Sequence, residues 1–535
     1  MSRPLIGSAS RPGPAALAAR LTWGALRGTA LDTDERARLA VGLGGVVLFE
    51  RNVESPGQVR TLTRAIRAAA GGPVRIAIDQ EGGYVTRIGE PLTRFPGPMA
   101  IAATGSVPLA RAVAEASGRE LRSLGIDTVL APVLDVAAVL DNPSIGTRAF
   151  GDEPGLVGRF GAAMVQGYLD GGVLPIPKHL PGHGRTALDS HVSSPVVAGT
   201  VAELVAQDLP PFAAAVRAGA PALMTAHVAY EAFADGLPAS LSPDAMALAR
   251  RQLAFDGLLL TDALVMDAIT VRMPREEAGV LAILAGADAA MAIEGQRPVL
   301  AGLTEAIERG RLPEARVQEA LGRAGALERL ALSLSRRVAL GPAADDEAAM
   351  SDAHAALARE VAARSITLVA AAGSGSETLG GTGSVLVVDI LGGRRSPVDG
   401  GPGREAGAGD VLAAAIPGGQ ALTVAPDDVR SHEAVVHAAT QAASVVVLTR
   451  DAYASPHSMA LLAAISDATA SSVHVALRSP LDLAGSAAGT RIAAYADTPA
   501  TIAALAERLT GRAPFQGRLP VRLPELTPLP TESAA

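Results

Sequence analysis

Short apolar runs alternate with amphipathic stretches along roughly the first 335 residues of the chain. Runs at 45–49, 74–78, 128–131, 174–177, 222–225, 257–261 and 287–292 have strand length and strand-like content. Between them, residues 56–70, 107–124, 154–167, 201–218 and 275–285 repeat apolar positions at helical spacing. This alternation predicts a parallel sheet, and so many units over this length predict a (β/α)8-type TIM barrel. Helical periodicity continues through 314–334, and a stretch with Pro and Asp at 341–347 then reads as a linker. The expected boundaries are 1–340 for the barrel, 341–350 for the linker and 351–535 for a second unit. That unit opens with a helix at 353–364, followed by strands near 366–369, 385–390, 445–448 and 473–477, a smaller α/β pattern. Two Gly-rich segments, 372–383 and 392–409, read as loops within it.

Polar residues punctuate the ends of the predicted barrel strands. Asp79-Gln80-Glu81-Gly82-Gly83 follows one strand, Lys178-His179 another, and His227 and Asp262 two more. In a parallel barrel these C-terminal ends converge on one mouth, where chemistry is placed.

Composition narrows the classes. With 535 residues, 49% hydrophobic and 19% charged, the chain has ample core and is neither disordered nor fibrous. The 46 basic residues against 54 acidic ones give a net charge of −8, which argues against nucleic acid or an anionic membrane as partner. Cysteine is absent, which excludes disulfides, thiolate metal sites and Cys nucleophiles. Aromatics, at 3%, are fewer than a long sugar-stacking cleft uses. Residues 1–14 show no continuous apolar segment or cleavage signal, and the stretch 41–49 is far short of a membrane span, so the expected compartment is the cytoplasm.

The densest polar cluster runs from Lys178 to His191 and holds three of the nine histidines and the only lysine. In a chain whose other basic residues are all Arg, a lone Lys suggests a compact point charge that Arg cannot replace; the plain alternative is compositional drift. Asp189 and His191, two apart, suit a carboxylate–imidazole dyad, the carboxylate orienting the ring as a proton shuttle. Metal binding is the rival, because His179, His183, Asp189 and His191 supply enough ligands. Their spacing is not H-E-x-x-H, and glycines on both sides of His183 leave no helical ligand face, so no metal and no cofactor is expected.

Asp262 ends a fully apolar strand, where a carboxylate can attack an anomeric carbon or simply cap the next helix. Asp79, Glu81 and Arg87 could bind vicinal hydroxyls or serve the turn, and Arg148 could donate to a sugar oxygen or pair with an acid. His227 reads as a satisfied core histidine. The stretch from Gly401 to Gly407 is too irregular for a dinucleotide fingerprint, and no Gly-Lys-Ser/Thr of a Walker motif exists.

Together these segments resemble family 3 glycoside hydrolases, specifically the bacterial β-N-acetylglucosaminidase branch, which includes β-glycoside phosphorylases. Asp79-Gln80-Glu81-Gly82-Gly83 is similar to the family's Asp-x-Glu-Gly-Gly turn, and Asn142 to Phe150 to its Asn-Pro-x-Ile-Gly-x-Arg-x-Phe motif. Lys178 to His191 resembles the Lys-His-Phe-Pro-Gly-His-Gly…Asp-Ser-His signature, the most specific of the set, and Thr261-Asp262 the nucleophile motif. Gly517-Arg518-Leu519-Pro520-Val521 resembles the family's C-terminal motif. The resemblance implies a TIM barrel followed by an α/β sandwich. It implies Asp262 as nucleophile, His191 as general acid/base oriented by Asp189, and Asp79, Arg87, Arg148, Lys178 and His179 at sugar-binding positions. The implied reaction is double displacement with retention, releasing a terminal β-linked N-acetylglucosamine or glucose.

The chain departs from the family pattern at Tyr84, where Arg is common, at Leu180 in place of Phe, at Arg185, and at Ala263 beside the nucleophile position. The last two make the neighbourhood of the dyad less negative and bear on the acceptor. A carboxylate base would repel phosphate, since two unit charges at 4 Å interact by about 4 kcal/mol at an effective dielectric of about 20. A neutral imidazole does not repel it, and Arg185 could add a phosphate-matching guanidinium or stand as a solvated loop residue. Inorganic phosphate is therefore expected beside water as acceptor, with a plain hydrolase of cell-wall recycling as the alternative. A metal-dependent hydrolase and a non-catalytic sugar-binding protein are the more distant readings.

Overall fold

Eight parallel strands build the first sheet of the computed structural model, which describes residues 12–293, 296–337, 344–371, 378–379, 383–392, 396–397, 407–425, 428–469 and 471–524. They are β1 (Thr22–Ala25), β2 (Gly45–Leu48), β3 (Arg75–Ile78), β4 (Thr128–Val129), β5 (Leu174–Pro175), β6 (Ala222–Thr225), β7 (Leu258–Ala263) and β8 (Ala289–Ala292). They pair in the order β5-β4-β3-β2-β1-β8-β7-β6. The seam between β5 and β6 closes just beyond β5. There Met224 N–H donates to the Pro177 carbonyl (2.9 Å), Leu180 N–H to Met224 (2.8 Å) and Ala226 N–H to Leu180 (2.8 Å). The predicted TIM barrel is present.

Seven of its strands fall on the apolar runs of the sequence. The eighth, β1, does not: Thr22-Trp23-Gly24-Ala25 has no run of branched aliphatics, and burial of all four residues makes it a strand. Trp23 fills the barrel interior with Val47, Ala77, Leu130, Ile176, Met224, Leu260 and Met291. Gly45 is required for this, because a Cβ there would stand 2.4 Å from the Trp23 ring. Helix Glu314–Arg337 closes the N-terminal end of the barrel, its Leu327, Ala331 and Leu334 packing with Leu174, Ala222 and Leu258 at the strand starts.

The predicted helix at 201–218 is broken by a π turn, Leu204–Asp208, ahead of helix Leu209–Arg217. Pro210 and Pro211 lack the N–H groups a regular ladder would need there.

The second sheet comprises β9 (Thr367–Ala370), β10 (Val385–Ile390), β11 (Gly419–Val424), β12 (Ser444–Thr449), β13 (Ser472–Ala476) and β14 (Thr490–Ala493). Its order is β9-β14-β13-β12-β10-β11, antiparallel only between β9 and β14. Both faces are covered, one by a cluster with Leu412, Leu505 and Leu509, the other by one with Val435, Leu461 and Ile465. This is the α/β sandwich. Strands β11 and β14 are not among the predicted runs; β11 is an edge strand whose side chains are mostly exposed, so it lacks the apolar signal.

One boundary shifts. Helix Ala344–Ser365 begins inside the predicted 341–350 linker, as the high helix propensity of its Ala-rich start allows. Residues 1–11 of the stretch read for targeting, most of both Gly-rich segments and residues 401–406 of the irregular stretch lie outside the described residues.

The two units share a small core in which Met99, Ala100 and Ile145 of the barrel meet Leu483, Tyr495 and Val521. Arg518 N–H donates to the Ala103 carbonyl (2.9 Å), tying the C-terminal motif to the barrel. Tyr84, one of the departures from the family pattern, donates its hydroxyl to the Leu477 carbonyl (3.1 Å), and the Arg478 guanidinium lies 4.2 Å from its ring centroid. Among the described residues, no helix is long and apolar enough to cross a membrane.

Candidate active site

Strand alternation aims the site. Ala77, Ile176 and Leu260 all point into the barrel interior, so the residues two further on, Asp79, Lys178 and Asp262, face the same axis at its mouth. A register slip between β7 and β8, from Leu260 to Ala263, bends the strand just where Asp262 emerges. Asp262 is a strand residue and caps no helix. A cavity of about 400 Å³ opens there, lined by Asp79, Arg87, Arg148, Lys178, His179, His191 and Asp262 among others.

On one side the charges form a buried lattice. Lys178 Nζ bonds to Asp79 Oδ1 and to Glu81 Oε1, each at 2.6 Å. Arg148 grips Glu81 with two parallel bonds of 2.8 Å and donates to the Ser144 carbonyl at 2.6 Å. Arg87 stands 3.9 Å from Asp79. Burial opposes the charge on Glu81, but Arg148 and Lys178 outweigh it and hold its carboxyl well below the usual range. Burial likewise opposes the Lys178 charge, and Asp79 and Glu81 reverse that and raise its pKa. Lys178 is a point charge between two carboxylates, which accounts for a Lys in a chain of arginines.

Glu81→Gln would leave two buried cations facing a neutral amide. It should cost about 3 kcal/mol of stability, seen as a lower denaturant midpoint at unchanged slope.

Behind this lattice, His179 Nδ1–H donates to Asp135 Oδ2 at 2.7 Å, and the His183 N–H donates to Asp135 Oδ1 at 2.6 Å. Asn142 Nδ2–H donates to the His183 carbonyl at 2.8 Å, linking the loop that carries Arg148 to the loop of the histidines. Burial pulls His183 down to about 4, so its ring is neutral at pH 7, and its Nε2 lies 3.1 Å from the Ser190 hydroxyl. His227 is the satisfied core histidine the sequence suggests, bonded to Ser240 Oγ (2.6 Å) and the Ala263 carbonyl (3.0 Å).

Opposite the lattice stand Asp262 and the dyad. Burial works against the Asp262 charge, but His227, His179, His191 and the Ala263 N–H (2.7 Å) prevail and hold it at about 2. Asp189 Oδ1 accepts both the backbone N–H (2.9 Å) and the Nδ1–H (2.7 Å) of His191. Those bonds, with one from Ser396, overcome burial and keep Asp189 at about 2. An ionised Asp189 can only accept, so the His191 ring keeps a proton on Nδ1 in either charge state, and Nε2 is left without a partner among the described residues, able to give or take a proton. Asp189 itself sits behind the ring and does not line the cavity.

Arg185 is a correction. Its guanidinium donates to Asp208 (3.2 Å) and to the Ala198 carbonyl (2.9 Å), and it does not line the cavity, so no phosphate contact comes from it there. The π turn ending at Asp208 supplies the carboxylate that draws it away.

Three contributors escape the sequence reading. Asp135, orienter of His179, looks like any residue of an apolar strand. Ser396 donates its hydroxyl to Asp189 Oδ2 at 2.7 Å, and Pro397 lines the cavity; both come from the second unit, in a Gly-rich segment with no pattern of its own. Among the described residues, no group of three His, Asp or Glu is arranged to hold a metal ion.

Comparison with known proteins agrees with this architecture. A model of the Glycosyl hydrolase family 3 N terminal domain matches residues 28–327. A β-hexosaminidase A of Pseudoalteromonas piscicida is 36% identical over 318 residues, 54% of this chain and 53% of that protein. This chain thus matches about half the length of that relative. The solved family 3 β-N-acetylglucosaminidase of Paenibacillus sp. str. FPU-7 superposes with a TM-score of 0.88 at 34% identity, covering 96% of this chain and 99% of that one. A β-glucoside phosphorylase superposes with a TM-score of 0.78 at 24% identity over 95% and 93% of the two chains, a likeness of fold. The protein belongs to glycosyl hydrolase family 3.

Proposed function

We propose that the protein is a retaining β-N-acetylglucosaminidase that removes a terminal sugar by two displacements. One observation carries this reading: ionised Asp262 and the Asp189-backed imidazole of His191 share a cavity that also holds a lattice of charged hydrogen-bonding groups. In the first step an Asp262 oxygen attacks the anomeric carbon while the doubly protonated ring of His191 gives its Nε2 proton to the leaving oxygen, breaking the glycosidic bond and leaving the ring neutral with Nδ1–H still on Asp189. In the second, neutral His191 takes a proton from water, whose oxygen displaces the Asp262 carboxylate and restores the β-anomer. Asp189 remains an anion throughout and holds the ring. Asp79, Arg148, Lys178 and His179 bind the sugar hydroxyls, with Arg87 beside them. A cavity of about 400 Å³ suits one terminal unit rather than a long chain. The choice of N-acetylglucosamine is supported by what the relatives are described as.

A second reading, phosphate as acceptor, keeps one support: an imidazole base repels no anion. Without Arg185 it is the weaker, and water is the acceptor we infer. Turnover of aryl β-N-acetylglucosaminide and aryl β-glucoside, each with and without phosphate, tests both. We expect preference for the N-acetyl substrate and free sugar at a rate independent of phosphate. A sugar 1-phosphate forming faster as phosphate rises would replace water by phosphate.

A further inference from the structure

The barrel has a second concavity, at the end opposite its mouth. Arg75 opens β3 there, Asp127 precedes β4, and Arg67 and Arg122 lie in the last turns of helices Pro56–Ala69 and Val107–Ser123. The guanidiniums of Arg60, Arg64, Arg67, Arg75 and Arg122 line a cavity of about 350 Å³ whose described lining holds one carboxylate, Asp127; Arg60 interacts with a partner of its own, which leaves four to share that carboxylate.

That carboxylate is already shared. Its Oδ2 lies 3.1 Å from Arg67 and 3.6 Å from Arg75, and its Oδ1 accepts the Ile76 N–H (3.0 Å) and the Thr128 hydroxyl (2.9 Å). The Nε atoms of Arg75 and Arg122 are buried with no hydrogen-bond partner among the described residues. Burial, with repulsion from Arg67 and Arg75 adding to it, lowers the Arg122 pKa against the pull of Asp127. Helix dipoles favour Arg67 and Arg122 at their helix ends, but they do not account for Arg64 and Arg75 in the same cavity. In a chain of net charge −8, such a concentration of one sign is an anion trap.

We propose that this concavity binds a multiply charged phosphoryl anion, either inorganic pyrophosphate or the phosphate end of a phosphorylated sugar. The guanidinium fork matches paired phosphate oxygens, and the four forks of Arg64, Arg67, Arg75 and Arg122 exceed what a single carboxylate ligand would neutralise. The described lining residues include no aromatic ring on which a nucleobase could stack, which disfavours a nucleotide. The exposed side chain of Leu332 beside the arginines offers an apolar edge for a small organic remainder. No lining residue is shared with the catalytic cavity, so the site is independent of the proposed reaction.

Calorimetric titration of the full chain at low salt with pyrophosphate, inorganic phosphate and a sugar 6-phosphate tests this. One saturable site is expected. Arg64→Gln with Arg122→Gln should weaken binding at least about tenfold, and Arg64→Gln alone, at an exposed position, about threefold. The single variant decides if the pair fails to fold. A charge-matched pair at exposed sites, Arg159→Gln with Arg309→Gln, and Asp262→Asn in the catalytic cavity should leave binding unchanged. Tighter binding of pyrophosphate points to the inorganic source and tighter binding of the sugar phosphate to the metabolite. Absence of saturable binding, an equal loss in the charge-matched pair, or loss in Asp262→Asn would overturn the proposal.

Discussion

Asp262→Ala is expected to lower kcat for an aryl β-N-acetylglucosaminide by about 10,000-fold or more, with the fold intact. A covalent nucleophile splits one difficult displacement into two easier ones, and its removal forfeits both. The loss corresponds to about 5.5 kcal/mol of transition-state stabilisation. The side chain also lies where its removal costs the fold little: among the described residues its oxygen bonds to the next backbone N–H alone, and it otherwise faces the cavity. Added azide should partly restore turnover by entering the space of the lost carboxylate. Its single inversion should give an α-glycosyl azide from a β-substrate. Retention of more than a few per cent of activity without azide would remove Asp262 from the nucleophile's place.

His191→Ala should cost about 1,000-fold on a substrate with an alkyl leaving group, which must be protonated as it departs. With a strongly activated aryl group the first step needs little help, so glycosyl-enzyme should accumulate and the second step should limit. A pre-steady-state burst with the activated substrate, absent in the native enzyme, is the signature. An equal loss on both substrates with no burst would mean that His191 positions the sugar instead of moving protons.

The parts of this account that were legible in the sequence have a common physical origin. β7 reads as an apolar run ending in Asp262 because both its faces are buried, and Lys178 stands out because it is the only lysine. Asp189 and His191 are two apart in sequence, so their pairing is local and visible. What the sequence conceals is longer-range. Glu81 becomes the shared counter-ion of Lys178 and Arg148 only when three separate strand ends converge. Ser396 reaches Asp189 across 207 residues, from a segment whose glycines predict only irregularity. Arg185 illustrates the opposite error. It lies in the signature loop, yet Asp208, 23 residues on, draws it out of the cavity. β1 and β11 fail for another reason, since burial by neighbours or position at a sheet edge, rather than intrinsic pattern, makes them strands.

The central claim is that Asp262 forms a glycosyl ester on one side of the sugar while His191 works on the leaving group. Incubation with a 2-deoxy-2-fluoro β-glycoside bearing an activated leaving group slows the second step more than the first. Mass spectrometry of the intact chain, and then of its peptides, reads the result. The account predicts one added sugar per chain, on the peptide containing Asp262, lost again on transfer to an acceptor. A label on any other residue, or an enzyme that turns over β-N-acetylglucosaminides with inversion at the anomeric carbon, would contradict it.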